Sequence, residues 1–149
     1  LAFAKSQMAA GFQLPLAGTV YISVHDIHKE RIVPIAKTFQ ELGFALTGTR
    51  GTAAYLNGCG VAIQPVNKLT EGRPHVVDAI KNGAIQLMIN TSVGRKSSYD
   101  GYHIRRSALT YNIPYTTTLA GARALSAAIA ALKSGNWGVC SLQEYHNRQ

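Results

Sequence analysis

From Gly18 onward, short apolar runs rich in β-branched residues alternate with stretches of helical spacing. That alternation is the signature of a parallel sheet flanked by helices. Gly18–Val24 predicts the first strand. After a polar turn, Lys29–Leu42 sets Ile32, Ile35, Ala36 and Phe39 at helical intervals, and Gly43 closes the helix as a left-handed cap. Pro34 fits if it lies in the first turn, where its missing N–H costs little. Phe44–Thr47 predicts the second strand, Thr52–Leu56 the start of the second helix and Val61–Val66 the third strand. His75–Asn82 predicts a helix ended by Gly83, and Ile85–Ile89 a fourth strand with the near-continuous apolar character of a sheet covered on both faces. Tyr102–Tyr111, Pro114–Thr117 and Leu119–Lys133 predict helix, strand and helix. Leu1–Ala10 predicts a helix and residues 11–17 a linker, while Trp137–Tyr145 fits a short strand or a docked tail.

A chain of 149 residues suits one domain, which at that size buries roughly 68–70% of its unfolded surface without covalent staples. Its two cysteines, Cys59 and Cys140, have no ligand-like spacing, so neither a disulfide framework nor a zinc site is indicated. Reduced thiols in a cytoplasmic protein are expected. No apolar run is long enough to span a membrane and no secretion signal opens the chain. The first residue is Leu1, which predicts a piece of a longer polypeptide. Fifteen Lys and Arg against seven Asp and Glu leave +8, a balance that favours an anionic partner. The cations are scattered singly apart from Arg95–Lys96 and Arg105–Arg106. They lack the basic run and aromatic interleaving of a strand-binding groove, which argues against nucleic acid.

In a doubly wound sheet, ligands bind beyond the carboxyl ends of the strands. Loops 25–29, 48–52, 67–74 and 90–101 all leave the sheet at that edge. Thr49-Arg-Gly-Thr52, between a strand and a helix, offers free N–H groups, a close-approach glycine and two hydroxyls, a geometry suited to phosphate. The plainer alternative is a helix cap and a turn. Asn90-Thr-Ser-Val-Gly-Arg95 brings an amide and two hydroxyls near a cation, and Asn67-Lys68 places an ammonium past the third strand; either loop is equally readable as solvated. Lys29 opposes the dipole of the helix it opens unless an anion lies nearby, which a bound phosphate would supply. The five histidines show no metal-ligand spacing, and no Gly-x-Ser-x-Gly elbow is present.

Taken together, Gly18–Val33, Gly48–Ala53, Val66–His75, Ile89–Arg95 and Ile104–Ala108 resemble the methylglyoxal-synthase-like domain, from residue 18 to about 134 and in order. More narrowly, Asn67-Lys-Leu-Thr-Glu-Gly-Arg-Pro-His75 and Ile104-Arg-Arg-Ser-Ala108 resemble the C-terminal allosteric domain of bacterial carbamoyl phosphate synthetase large chains. Residues 1–17 are similar to the end of the preceding synthetase unit and its linker, leaving 18–149 as the regulatory domain. The resemblance implies a three-layer, Rossmann-like α/β fold with a five-stranded parallel sheet in order 3-2-1-4-5.

It also implies a non-catalytic module without a cofactor of its own, in a parent ATP-dependent ligase that draws on ATP, Mg and K for pyrimidine and arginine synthesis. That parent is oligomeric and works with a glutaminase small subunit. The regulators are UMP as inhibitor and IMP as activator, and the phosphate and ribose contacts carried over are Lys29, Thr49, Thr52, Lys68, Asn90 and Ser92. An ornithine-responsive interface falls at Tyr115, Thr116 and Thr117. Gly101 and Thr116 depart from members that carry a hydroxyl and an acid there. Against an active lyase of the same superfamily, which eliminates phosphate from dihydroxyacetone phosphate, one carboxylate is replaced by Arg73 and another by Val93, although Asp26 matches. Lys68 separates the chain from the N-acetylglutamate-responsive animal type, which carries an aromatic residue there.

Overall fold

Alternation along the central strand decides the layering. In β1 (Thr19–Ser23), Val20 and Ile22 are buried with one cluster of side chains and Tyr21 with another, as period-two geometry requires of a strand covered on both faces. The computed structural model describes residues 14–91 and 98–134. Around β1 lie β2 (Ala45–Gly48), β3 (Gln64–Pro65), β4 (Leu87–Asn90) and β5 (Tyr115–Thr116), all parallel, in the order β3-β2-β1-β4-β5. This is the expected five-stranded α/β architecture. The expected helix over Leu1–Ala10 and the segment Trp137–Tyr145 lie outside the described residues.

Among the described residues, four α-helices connect the strands and a fifth follows the last of them: α1 (Lys29–Glu41), α2 (Arg50–Gly58), α3 (Val76–Lys81), α4 (Ser98–Thr110) and α5 (Leu119–Lys133). Ile32, Ile35, Ala36 and Phe39 of α1, Ala53 and Leu56 of α2, and Leu125 and Ile129 of α5 pack on Val20, Ile22, Leu46, Leu87 and Ile89. On the opposite face Val76, Val77 and Ile80 of α3 and Ile104 and Ala108 of α4 cover Tyr21 and Met88. Burying so many large side chains, at about 1.5–3 kcal/mol each, is what offsets the entropy of ordering the chain.

The ends of the first four helices share one device. The N–H of Phe44 reaches back to the carbonyl of Phe39 and that of Gly43 to Gln40, with Gly43 at φ +94°. This is the Schellman pattern, in which a left-handed residue satisfies the last carbonyls. It recurs at Gly60, Gly83 and Asn112.

Several details differ from the sequence expectation. Pro34 is the sixth residue of α1, in the second turn, so the carbonyl four residues earlier loses an amide partner. The third strand pairs only at Gln64 and Pro65; Pro65 sits on an edge strand, where its missing N–H is tolerated, and the Asn57 side chain occupies both backbone groups of Ile63. Phe44 closes α1 rather than opening β2. Finally, α4 begins at Ser98, four residues before Tyr102.

Candidate functional site

The carboxyl ends of β1, β2 and β4 lie side by side, with Ile22 in register with both Gly48 and Ile89. Gly48 is required there, since a Cβ would collide with the Ile22 carbonyl oxygen. The chain then turns directly into α2, whose N-cap Thr49 has extended backbone and makes no side-chain cap bond. Its hydroxyl instead lies 2.9 Å from Thr52 Oγ1, and Thr52 Oγ1 also accepts the Val24 N–H at 3.3 Å. The plain capping alternative therefore does not hold for these two threonines. Both are buried. Two hydroxyls facing each other share one hydrogen between them, so the pair retains a second proton to donate.

Lys29 stands over this turn. Its Nζ is 3.5 Å from the position a Cβ on Gly51 would take, and 2.7 Å from Asp26 Oδ1. The anion that relieves the cation at the start of α1 is thus a carboxylate of the same chain. The Lys29 ammonium, by hydrogen bond and charge, holds the Asp26 carboxyl below its ordinary range. The turn Asp26–His28 that carries Asp26 is capped by His25, whose Nδ1 accepts the Ile27 N–H.

Neighbouring loops are tied to this one by single hydrogen bonds. Arg50 Nη2 donates to Asn67 Oδ1 at 2.8 Å, which fastens the loop after β3, carrying Lys68, to the start of α2. Lys68 is exposed and its backbone N–H donates to Glu71 Oε1; its ammonium has no ion-pair partner among the described residues. On the other side Thr91 Oγ1 accepts the His25 N–H and sits 3.0 Å from His28 Nδ1. Thr91 and Arg50 are residues at this edge that the sequence did not single out as ligand contacts, although both lie in loops it did; Asp26 entered the sequence reading only as the match to a lyase aspartate.

The remaining expected residues are placed less centrally. Asn90 is buried and its Nδ2 donates to the Tyr115 hydroxyl at 3.0 Å, so this side chain reaches toward β5. Burial pushes the Tyr115 phenol above its ordinary range. Thr116 is pressed against Gly121 at the start of α5, where a Cβ would collide with its hydroxyl, and Thr117 is exposed. Ser92 and Val93 lie outside the described residues. Arg73 is engaged in a two-pronged bond to Asp78, whose carboxylate also accepts the His75 N–H. These donors lower the Asp78 carboxyl to about 2. No cluster of three or more His, Cys, Asp or Glu suited to a metal occurs among the described residues. Nor is any described helix long and apolar enough to cross a membrane. A groove of about 590 Å³ lies elsewhere, between α3 and α4, lined in part by Lys81, His103 and Arg106.

Fold and edge together define a class: a doubly wound α/β domain whose carboxyl edge gathers hydroxyls and cations around one helix N-terminus. The chain belongs to the MGS-like domain family, whose model matches residues 31–117. It is 49% identical over 145 residues to the carbamoyl phosphate synthase large chain of Rhizobium meliloti (strain 1021), covering 97% of this chain and 12% of that one. With the large chain of Archaeoglobus fulgidus it shares 46% identity over 147 residues, covering 98% of this chain and 14% of the relative. The chain thus corresponds to a small fraction of those relatives' length. A solved structure, that of ForH, overlays with a TM-score of 0.48 at 15% identity, covering 79% of this chain and 80% of that one; at that level the likeness carries no argument.

Proposed function

We propose that this domain is the regulatory module of a carbamoyl phosphate synthase large chain and that it binds the phosphate of a nucleoside monophosphate at the α2 N-terminus. The observation that carries this reading is the buried Thr49–Thr52 hydroxyl pair, with a proton left to donate, beneath the Lys29 ammonium. Free amide groups and a positive dipole end add to the attraction there. Lys68 supplies a second cation from the adjoining loop, and Asn90 serves the phosphate and ribose, as Ser92 does by the family resemblance. UMP acts as inhibitor and IMP as activator of the parent ligase, with the ornithine response passing through Tyr115–Thr117. The hydrogen bond from Asn90 to Tyr115 joins these two groups of residues. The partners of the domain are the rest of the large chain and the glutaminase small subunit, in an oligomer of the cytoplasm.

Calorimetric titration of the chain with UMP, IMP, uridine, inorganic phosphate and N-acetylglutamate tests the reading. The nucleotides bind with one-to-one stoichiometry, phosphate competes with them, and uridine and N-acetylglutamate bind far more weakly. Equal affinity for UMP and uridine, or binding of N-acetylglutamate alone, rejects it.

A further inference from the structure

Asp26 and Lys29 form an ion pair across one turn, and their surroundings are unequal. The Asp26 side chain is 86% exposed and that of Lys29 21%. The cation is therefore enclosed by protein on most sides, and the carboxylate is the more solvent-facing partner. The same ammonium overlies Gly51 in the first turn of α2. An anion seated on the amide groups of that turn must approach an ammonium that a carboxylate already neutralises. Asp26 stays ionised through the neutral range, because Lys29 holds its carboxyl low. The other charged or titratable groups close by are His25, which shares the Asp26 turn, and His28, which is turned to Thr91; Arg50 is spent on Asn67.

We propose that Asp26 is an affinity-limiting residue of the phosphate site: its carboxylate holds Lys29 in the phosphate's stead, and every phosphorylated ligand binds against it. This rests on the phosphate-site reading given above. Two anions that contact one ammonium lie only about 5–6 Å apart, so their repulsion opposes binding in proportion to the ligand's charge. Neutral ligands feel none of it. The Asp26 carboxylate is itself largely in solvent, and a pair with so exposed a partner contributes little to folding, so the carboxylate can be replaced by an amide without unfolding the domain. Asp26 is a tuning residue: it competes with the ligand for the Lys29 ammonium and so sets how strongly a phosphorylated ligand is held.

The test is titration of the 149-residue chain with UMP and uridine, comparing wild type, Asp26→Asn, Asp26→Glu and Lys68→Ala at low and high ionic strength, with circular dichroism as the folding check. Asp26→Asn binds UMP about three- to tenfold more tightly at low salt, and the gain shrinks toward none at high salt, where charges are screened. Asp26→Glu, which keeps the charge, shows no gain, and uridine is indifferent to all of these changes. A folded Asp26→Asn protein that binds UMP equally or more weakly than wild type overturns the proposal, since Asp26 is then a support for Lys29 rather than its competitor. If that happens while Lys68→Ala still weakens UMP, the phosphate site stands and only the role of Asp26 falls. If neither wild type nor Asp26→Asn binds UMP, both ideas fall together.

Discussion

At the scale of single residues, the most consequential side chain is Lys68. It is exposed and has no ion-pair partner among the described residues, yet its loop is anchored twice, by Asn67 to Arg50 and by its own N–H to Glu71. Anchoring the loop means that only the side chain, not the backbone, has to be ordered when the cation meets phosphate. A charge-assisted hydrogen bond contributes about 1.5–3 kcal/mol, so Lys68→Ala is expected to weaken UMP roughly ten- to a hundredfold and to leave uridine unchanged. Lys68→Arg is expected to bind poorly too, because a planar fork replaces a compact ammonium. Unaltered UMP affinity in a folded Lys68→Ala protein removes the residue from the site. Asp78 makes a different prediction. Its carboxyl is lowered to about 2 by Arg73, by the His75 N–H and by neighbouring charge, so its contribution to stability is complete above the ordinary carboxylate range and is lost as pH falls through about 2. Thermal melts of wild type and Asp78→Asn should differ at pH 5–7 and converge near pH 2. A difference that persists in strong acid means that the loss is steric rather than ionic.

Elements were legible in the sequence where one residue type forces one geometry. Gly43 and Gly83 foretold two helix ends because only a left-handed residue completes that cap cheaply. The hydroxyl pair was legible because Thr49 and Thr52 are neighbours on one turn. What joins the loops was not legible. Arg50 to Asn67 and His25 to Thr91 are single bonds between residues 17 and 66 positions apart, set by how the strands align rather than by any local pattern. The third strand is present but shorter than expected, because apolar content predicts burial of Val61 and Ile63 but not their hydrogen bonding. Pro34 gives this scale its prediction. It is exposed, in the second turn of α1, and removes an amide that a neighbouring carbonyl needs. Pro34→Ala restores that bond without leaving a cavity, at some cost in unfolded-chain freedom, and is expected to stabilise the domain by about 1–2 kcal/mol. Urea denaturation midpoints measure this. A midpoint equal to or below wild type indicates that α1 needs the bend Pro34 imposes to lie on the sheet.

For the molecule as a whole, the question is whether a fold shared with a lyase retains the chemistry. Binding phosphate is not elimination: a base must also remove a substrate proton, and a useful base has a proton affinity near the working pH. Among the described residues, the carboxylates at and beside the edge loops are committed elsewhere. Asp26 is held low by Lys29, Asp78 is held low by Arg73, and Glu71 accepts the Lys68 N–H. Arg73, at the position where the resemblance would put the lyase carboxylate, is itself a cation locked to Asp78 and raised by that partner. Hydrogen bonds and charges that lower a carboxyl make it a weak base at neutral pH. The described part of this edge is thus poorly furnished to abstract a proton. Incubation of the chain with dihydroxyacetone phosphate is therefore expected to release no methylglyoxal above a buffer blank, even at concentrations where the compound competes with UMP for the site. Turnover that Asp26→Ala abolishes would reverse this conclusion, because it would mean that the carboxylate leaves Lys29 during the reaction and recovers the basicity the ion pair suppresses.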